Sequence, residues 1–378
     1  MTRSIGLLLA LASALVGQSF FNPRALGEVS PVADARALGL GGNPALSWLN
    51  PGYPVELDRT TLGLTALGAG ALGRSAAGDR FIGNARPAGF NSAVPLPLGL
   101  RLRLGVDESF NQDFDTWADS VPGQNWRYHV TGRGGVYALR TGLAWSFAGT
   151  GCAGIEYRRL IGASRENWRF QVPGGYVSTD TVEVDFAADA VRAGLAFRAG
   201  RFNLGAAFDP GYRLTARSLK KVHGVVGESL RTRTLVLPWS AELGAGFEVS
   251  DRLGLLAGAE YRPWSGIEFT DSFPSPDWGT RDAWRFSLGA EFDITPSHPL
   301  RVGGSWTDWY FGTAGAEPVS ALGLHLGTSV PITGFGSIDV GTELARRTAG
   351  GLTEYTGKLM LTLAYQEAWL RRTRRWGY

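Results

Sequence analysis

The feature that most constrains this chain is a pair of long alternating segments between Thr234 and Phe269. In the first segment, apolar or aromatic residues occupy every second position, and serine, glycine and glutamate fill the positions between them. The second segment repeats the pattern after a short Ser250-Asp251-Arg252 turn. Because successive side chains of a strand point to opposite sides, this alternation predicts an antiparallel hairpin with one apolar and one polar face.

The length of these segments indicates a membrane environment. Each sustains its pattern for more than ten residues, whereas strands of globular proteins run to about five or six. Tilted strands of about nine to eleven residues are what a bilayer requires. Aromatic residues stand near the segment ends, at Trp239, Tyr261 and Trp264. A barrel with lipid outside and a polar lumen inside accounts for both faces.

Similar alternation recurs along the chain and predicts an all-β fold, an antiparallel transmembrane β-barrel of about 14 strands. The predicted strands span 55–70, 80–93, 96–107, 130–147, 152–165, 183–198, 202–217, 234–249, 253–269, 282–295, 300–310, 320–330, 335–346 and 355–367. Short turns alternate with longer connections, which is typical of outer-membrane barrels and places both ends of the chain in the periplasm. The predicted long loops include 108–129, 166–182, 218–233 and 347–354, of which the first is acidic and expected to be solvated.

Composition excludes several classes of protein. The mean hydropathy of −0.05 excludes a helical membrane protein. The net charge of +3 becomes −1 without the four arginines among the last eight residues, so no basic domain supports nucleic-acid binding. Cys152 is the only cysteine and no histidine pair has metal-ligand spacing, so we predict no disulfide, metal site or cofactor.

The residues also favour a protein that is not an enzyme. His325 points inward by alternation and shares a face with Ser329. Four residues along a strand correspond to about 13 Å, which is beyond hydrogen-bond reach for a nucleophile and its base. No catalytic residue is therefore predicted.

The chain ends divide into three further segments. Residues 1–18 combine Arg3, an apolar stretch and small residues, which predicts a secretory signal peptide. Residues 19–54 lack alternation and are rich in turn-forming pairs and large apolar residues, which favours a hatch or plug inside the barrel or across its mouth. The barrel then spans 55–367. Residues 368–378 form a basic-aromatic periplasmic tail, whose alternatives are binding to anionic headgroups, a cell-wall polymer or a partner protein, or a frayed terminus.

The inward faces of the predicted strands carry charges of both signs. Charges away from water persist by pairing, so we predict a salt-bridge network in the lumen of a plugged barrel. The residues assigned to this network are Arg101, Arg103, Arg140, Glu156, Arg158, Glu242, Glu260, Arg285 and Glu291.

Three short motifs follow the leader: DARALGLGG at 34–42, NPALSW at 43–48 and NPGYP at 50–54. With the fourteen predicted strands, they make the chain resemble the long-chain fatty-acid transporter family of outer-membrane barrels, and within it the branch of the type IX secretion shuttle barrel. The resemblance implies passage of hydrophobic, fatty-acid-like small molecules across the outer membrane of a Gram-negative-type bacterium. The hatch residues that it places on the ligand path are Asp34, Arg36, Leu38, Gly41, Gly42, Asn43, Pro44, Trp48, Asn50 and Pro51.

A second hypothesis remains open beside transport. In it, the barrel is a non-transporting scaffold or shuttle that binds a secreted or surface protein. The expected partners under the two hypotheses are outer-membrane lipid, a hydrophobic small molecule, and a periplasmic or surface protein.

Overall fold

The computed structural model of the chain describes most of the predicted barrel and hatch. The described residues are 19–22, 26–30, 32–54, 59–75, 78–118, 127–147, 149–171, 175, 177–222, 228–269, 280–295, 298–312, 318–332, 336–349 and 351–367. The predicted signal peptide and the predicted tail lie outside the described residues.

Within these residues, one antiparallel sheet contains nineteen strands. They are β1 Glu28–Val29, β2 Thr60–Ser75, β3 Gly78–Pro95, β4 Leu100–Asn111, β5 Phe114–Ala118, β6 Arg127–Phe147, β7 Gly151–Gln171, β8 Val177–Ala199, β9 Phe202–Asp209, β10 Tyr212–Val222, β11 Glu228–Leu237, β12 Ser240–Ser250, β13 Leu253–Arg262, β14 Glu268–Phe269, β15 Ala283–Thr295, β16 His298–Gly312, β17 Pro318–Ile332, β18 Gly336–Ala349 and β19 Leu352–Glu367. The helical elements are the α-helix α1, Ala35–Gly39, and the 3₁₀ turns Pro97–Gly99 and Trp264–Gly266.

Pairing of β19 with β2, from Thr353↔Arg74 to Glu367↔Thr60, closes the sheet. The result is a closed antiparallel barrel of 14 strands, which confirms the predicted fold class. In this count β4 with β5, β9 with β10, β11 with β12, and β13 with β14 each make one wall strand, and β1, which pairs with β4, is not part of the wall. We call the end at which β2 begins and β19 finishes the turn end, and the opposite end the loop end.

The hairpin that opened the sequence analysis forms in the expected place, with Ala241 opposite Tyr261 and Ser250 opposite Leu253. The predicted continuous strand 234–249 is wrong, however, because β11 ends and β12 begins on either side of Pro238. Proline has no N–H to donate to a ladder. Pro210 and Pro263 interrupt the wall strands on either side in the same way.

The predicted long loops 166–182, 218–233 and 347–354 are also wrong. Neighbouring strands stay paired as far as Gln171↔Val177, Lys221↔Glu228 and Ala349↔Leu352. Towards the loop end both faces of these strands carry polar residues, so the alternating signal fades although backbone pairing continues.

The outer face of the barrel is broadly apolar. Leu243, Leu324 and Leu344 are 63%, 70% and 68% exposed, and many other large apolar side chains share this face. Soluble monomers rarely expose apolar patches of more than a few hundred Å². The rings of Tyr261 and Trp284 pack with centroids 4.5 Å apart, in a row of exposed aromatic residues typical of a membrane interface. No helix in the described part of the chain is long and apolar enough to cross a membrane.

Candidate functional site

Helix α1 lies inside the barrel and is anchored at its first turn. The Asp34 side chain accepts a hydrogen bond from Ala37 N at 2.7 Å, and Ala35 N donates to Thr362 Oγ1 of β19 at 2.9 Å. Burial raises the pKa of the Asp34 carboxyl, although the Ala37 hydrogen bond and the charge of Arg36 favour its ionised form. On the other side of the helix, Leu38 packs in an apolar cluster with wall residues of β2 and β19.

The hatch backbone rests on a glycine shelf, which we define as Gly289, Gly303, Gly327 and Gly341 on the four strands β15 to β18. They form two cross-strand pairs, Gly289↔Gly303 and Gly327↔Gly341. A methyl group at Gly303 would lie 2.6 Å from Gly41 N, and one at Gly289 would lie 2.6 Å from Leu40 O. The hatch and the wall therefore meet backbone to backbone, which only glycine allows.

The Gly41-Gly42 doublet turns the chain on this shelf. Its φ angles are +87° and +70°, in the left-handed region that favours glycine. The Gly41 carbonyl accepts a hydrogen bond from Arg285 Nη2 at 3.2 Å. The doublet thus has a conformational role and a contact role, and it is no phosphate loop.

Both Asn-Pro pairs of the hatch continue along the inner wall. Asn43 donates to Ala257 O at 2.9 Å, and its Oδ1 accepts from Ala45 N at 3.0 Å. Pro44 begins the next turn, where its carbonyl accepts the Ser47 hydroxyl at 2.9 Å. Asn50 and Pro51 also contact the inner wall, on β8 and β7 respectively. Asn50 Nδ2 donates to Leu195 O at 2.9 Å, and Pro51 packs against Gly154 so closely that a methyl group there would lie 2.5 Å from Pro51 O.

Across the lumen, three arginines of β4 and β6 hold the hatch instead; we call Arg101, Arg103 and Arg140 the arginine side. Arg103 donates to the carbonyls of Tyr53 at 2.5 Å and Trp48 at 2.6 Å, and its guanidinium lies 5.4 Å from the centre of the Trp48 ring. Arg140 also donates to Trp48 O, at 3.2 Å, and Arg101 donates to Pro54 O.

Charged residues of the lumen meet in chains of ion pairs. Glu156, 1% exposed, is shared by Arg103 at 3.9 Å, Arg140 at 3.3 Å and Arg158 at 3.2 Å. Arg158 continues to Asp209 at 3.3 Å, and from there Arg192 links to Glu242.

A second chain of ion pairs ties the hatch to the wall. Arg36 pairs with Glu291 at 3.0 Å, and Arg301 joins Glu291 at 2.5 Å and Asp339 at 3.3 Å. Six of the nine residues assigned to the network from the sequence lie in these two chains, namely Arg103, Arg140, Glu156, Arg158, Glu242 and Glu291. Arg101 and Arg285 instead donate to hatch carbonyls. Glu260 belongs to neither chain of ion pairs.

Two neighbouring acids at the start of the predicted acidic loop 108–129 are buried, which corrects the expectation of solvent exposure for Glu108. Asp107 pairs with Arg140, and Glu108 pairs with Arg86 at 2.5 Å while it accepts a hydrogen bond from Ser30 at 3.0 Å. A register shift between Glu108 and Phe110 explains the error, because Glu108 lies at the bulge and is buried beside Asp107, which alternation already places on the inner face. Strict alternation gives no signal for such a bulge.

The first part of the hatch reaches towards the loop end. Glu28 lies between Arg347 and Lys358, 2.9 Å from the Lys358 ammonium. Burial acts to raise the pKa of Glu28, but the two cations outweigh it and bring the pKa to about 2. Nearby, Leu26 N donates to the Tyr310 hydroxyl at 2.9 Å, and that hydroxyl donates to Gly27 O at 2.8 Å.

A cavity of about 100 Å³ lies on the loop-end side of the hatch. Aromatic rings form much of its wall, with Trp264 stacked on Tyr310 at 4.2 Å between centroids and Trp309 beside them. These rings belong to the apolar core that fills this half of the lumen. We call this space the aromatic cavity.

Two guanidinium groups of the aromatic cavity form no direct ion pair in the described part of the chain, although Asp209 lies near Arg262 and Glu343 near Arg285. Arg262 lies 5.1 Å from the Trp264 ring centre and donates to Ser240 Oγ at 3.1 Å, while Arg285 donates to the Gly41 carbonyl at 3.2 Å. Neither arginine forms an ion pair with any described residue, and the Nε of each is buried without an acceptor. Glu260 faces Arg285 across the β13–β15 ladder, also without an ion pair in the described part. The sequence analysis grouped Arg285 and Glu260 with the paired charges and missed Arg262.

Two further cavities lie on the turn-end side of the hatch, with volumes of about 270 Å³ and 310 Å³. Both are lined by Arg36, Leu46, Tyr53 and Leu256, so they adjoin across these side chains. The hatch separates them from the aromatic cavity.

The inward histidine has a different partner from the one considered in the sequence. His325 Nε2 lies 2.7 Å from Ser305 Oγ, whereas Ser329 donates to Asp339. His325 Nδ1 has no hydrogen-bond partner, although a general base requires a group that orients it. Among the described residues, no cluster of His, Cys, Asp or Glu is arranged to hold a metal ion.

The fold and the hatch define a class: a closed 14-stranded barrel with a hatch in its lumen. Among solved structures, the chain is similar to a FadL homologue of Pseudomonas aeruginosa, with 14% identity, a TM-score of 0.65, and coverage of 90% of this chain and 99% of that one. It is also similar to the toluene transporter TodX of Pseudomonas putida, with 12% identity, a TM-score of 0.63, and coverage of 92% and 100%. The toluene transporter TbuX of Ralstonia pickettii gives 15% identity, a TM-score of 0.55, and coverage of 93% and 99%.

At these identities the likeness shows that the chain shares the fold of these barrels. Nothing in it supports the narrower resemblance to the type IX secretion shuttle branch. No family model matches the chain, and no curated protein matches it in sequence.

Proposed function

We propose that this protein is an outer-membrane barrel through which hydrophobic small molecules with an acidic headgroup, such as fatty acids, pass. The observation that carries the proposal is the aromatic cavity, where neither Arg262 nor Arg285 forms a direct ion pair with a described residue and Arg262 lies against the Trp264 ring. Both guanidinium groups are half-buried, which removes part of their hydration, and a bound carboxylate offsets that loss with charge-assisted hydrogen bonds.

The size of the cavity favours binding of the headgroup end of such a ligand. An engineered apolar cavity of about 150 Å³ binds benzene, so a cavity of about 100 Å³ takes a carboxylate and the first carbons of its chain. The rest of a long ligand must displace apolar side chains of the surrounding core towards the loop end.

Several observations support the location and direction of passage. The exposed apolar belt requires lipid, and the short connections at the turn end are typical of the periplasmic side of outer-membrane barrels. The similar barrels include proteins described as toluene transporters. We place the loop end outside the cell and the hatch, with its Asp34 to Pro51 residues, across the route to the periplasm.

The test compares binding of a long-chain fatty acid and of its methyl ester to the purified full chain in a neutral detergent, by displacement of a fluorescent fatty acid. We expect the acid to bind at least about tenfold more tightly than the ester, because about 1.4 kcal/mol corresponds to a factor of ten and a hydrogen bond to a charged group contributes at least as much. Arg262→Met and Arg285→Met should each remove most of this preference.

Arg346→Met is the matched control, because Arg346 is exposed on β18 and does not line the aromatic cavity. It should leave the preference unchanged. Equal affinities for acid and ester would overturn the acidic headgroup, and binding of neither would overturn the function.

Glu260 sharpens the same test. Its carboxylate lines the aromatic cavity opposite Arg285 and repels an incoming acid. We expect Glu260→Gln to tighten binding of the fatty acid severalfold and to leave the methyl ester unaffected. No feature of the described residues favours the scaffold hypothesis over this function.

A further inference from the structure

Strands β6, β7, β8 and β10 continue towards the loop end beyond the apolar belt of the outer face. On β7 the outward residue Ile161 is 41% exposed and belongs to the belt, whereas Leu160 is buried inside the barrel. The next outward charge is Arg165, four residues further along the chain, which corresponds to about 13 Å along a strand. At a strand tilt of about 40°, Arg165 lies about 10 Å beyond the belt, in the region of the lipid headgroups.

The outward face of this part of the barrel is basic. We define the basic wall as five exposed cations on three of these strands: Arg133, Arg165, Arg169, Arg217 and Lys221. Two acids of β8, Glu183 and Asp185, face the same way. The cations outnumber the acids, so the face attracts anions.

Two arginines of the basic wall lie directly opposite each other. Arg133 of β6 is the cross-strand partner of Arg165 of β7, and both side chains are exposed. Like charges in this arrangement destabilise a sheet. A phosphate placed between the two guanidinium groups removes the repulsion, because its oxygens accept charge-assisted hydrogen bonds from both.

The acids on this face leave much of the positive charge without a partner. Glu183 is shared by Arg165 at 3.7 Å and Lys221 at 3.5 Å. Arg217 faces Asp185 across the β8–β10 ladder, but the two form no ion pair in the described part of the chain. The basic wall therefore keeps the capacity to bind an external anion.

The pairing of charges changes with distance from the belt. Arg159 lies on the same face of β7 as Arg165 but nearer the turn end, and it pairs with Asp189 at 2.8 Å. Arg133 and Arg169, which lie further towards the loop end, form no ion pair with any described residue. The chain thus supplies its own counter-charge beside the lipid tails and leaves the cations open at the level of the headgroups.

An apolar neighbour favours a lipid over a soluble anion. Leu230 of β11 lies at the same level as Arg165, through Glu183 and Leu219 in the cross-strand register, and is 63% exposed. An exposed leucine beside cations fits an amphiphilic molecule better than a soluble phosphate. The apolar belt directly below has room for the acyl chains of that molecule.

We propose that the basic wall binds a phosphorylated lipid of the leaflet at the loop end, with one phosphate between Arg133 and Arg165 and the acyl chains along the belt. This inference goes beyond the proposed function, because it concerns the outer face of the barrel and requires no ligand in the lumen.

Native mass spectrometry of the full chain in a neutral detergent tests the proposal. The two probes are diphosphoryl lipid A and the same lipid with both phosphates removed, so the acyl chains are matched. We expect the diphosphoryl form to bind at least about tenfold more tightly. Arg133→Met should weaken binding of the diphosphoryl form about fivefold and leave the dephosphorylated form unaffected.

Arg346→Met is the matched control. Arg346 is also an exposed arginine, but its cross-strand partners are Leu322 and Tyr355, so no second cation lies opposite it. It should leave the affinity for diphosphoryl lipid A unchanged. Equal affinities for the two lipid probes would overturn the proposal, as would equal losses in Arg133→Met and Arg346→Met.

A stability measurement separates a binding role from a structural one. Because Arg133 faces Arg165, Arg133→Met should not lower the midpoint of the heat-induced mobility shift when lipid is absent. We expect diphosphoryl lipid A to raise that midpoint in the parent and to raise it less in the variant. A variant that is less stable without lipid, and responds to lipid as the parent does, would overturn the proposal.

Sodium pyrophosphate distinguishes a lipid from a soluble phosphate. If pyrophosphate at the same concentration displaces diphosphoryl lipid A, the basic wall binds soluble anions and the lipid proposal is overturned. Lipid A binding that persists supports the proposal. Arg133→Met should also bind fatty acid as the parent does, so failure of this proposal and failure of the proposed function give different results.

Discussion

The glycine shelf and the arginine side hold the same hatch by opposite means. On the shelf, wall and hatch backbones touch because side chains are absent, as where Gly303 meets Gly41. On the arginine side, Arg103 spans the gap with its full length to reach the Tyr53 and Trp48 carbonyls. The first contact depends on volume alone, and the second depends on charge and hydrogen-bond geometry.

This difference indicates which part of the hatch detaches from the wall more easily. Where two backbones touch, any added side chain must push the hatch off the wall, because a protein interior tolerates little added volume. Hydrogen bonds from a long side chain can be lost one at a time at a modest cost. We therefore expect residues 35–41 to remain fixed under conditions that release residues 48–54.

The largest effect should come from filling the shelf. In Gly303→Leu the new side chain collides with Gly41, so the hatch must leave the wall. We expect trypsin to cleave after Arg36 and the channel conductance in planar bilayers to rise severalfold, whereas the parent resists cleavage at that site.

Gly254→Leu is the control for the shelf, since Gly254 belongs to β13 and a methyl group there meets no atom within 4 Å. It should behave as the parent does. A shelf variant that still protects Arg36 would show that the close packing does not fix the hatch.

The intermediate effect should come from the arginine side. Arg103→Met keeps much of the apolar stem but removes the donors to Trp48 O and Tyr53 O, at a cost of about 1–3 kcal/mol. We expect chymotrypsin to cleave after Trp48 while trypsin still fails at Arg36. Simultaneous exposure of both ends would contradict two independent attachments.

The smallest effect should come from lowering the pH. Glu28 has a pKa of about 2 in place of an ordinary 4.5, so its pairing with Arg347 and Lys358 stabilises the protein above pH 4.5 and is lost as the pH falls towards 2. The glycine shelf has no titrating group and should not respond. We expect the midpoint of the heat-induced mobility shift to differ between parent and Glu28→Gln above pH 4.5, and the difference to shrink to nothing near pH 2. A difference that persists at pH 2 would rule out this origin.

The sequence predicted the barrel well because lipid imposes one rule on every strand. Alternation located all fourteen wall strands and the inward side of Arg101, Arg103 and Arg140, since a one-residue error would place charge in lipid. Prediction from alternation failed where the regular change between apolar and polar positions is interrupted: at Pro238, at the bulge beside Glu108, and along the strands near the loop end.

The hatch and the candidate site were less accessible from the sequence, for a different physical reason. The motif 34–42 indicated a compact segment. The wall surface that it contacts, however, is made of glycines on β15 to β18, which are far apart in the sequence and are brought together only by the fold. The unpaired state of Arg262 and Arg285 likewise depends on which acids reach them in space, and no spacing in the sequence carries that information.

The central claim, that an acidic hydrophobic ligand binds inside the barrel against Trp264 and Tyr310, is tested most directly by photolabelling. A fatty acid with a diazirine near its carboxyl group is bound to the full chain, irradiated, and located by mass spectrometry of the peptides. We predict labelling of residues 262–266 and 307–311, with loss of that labelling in Arg262→Met. Labels confined to outward residues such as Leu243 and Leu288 would contradict the claim, because they would place the ligand in the lipid belt.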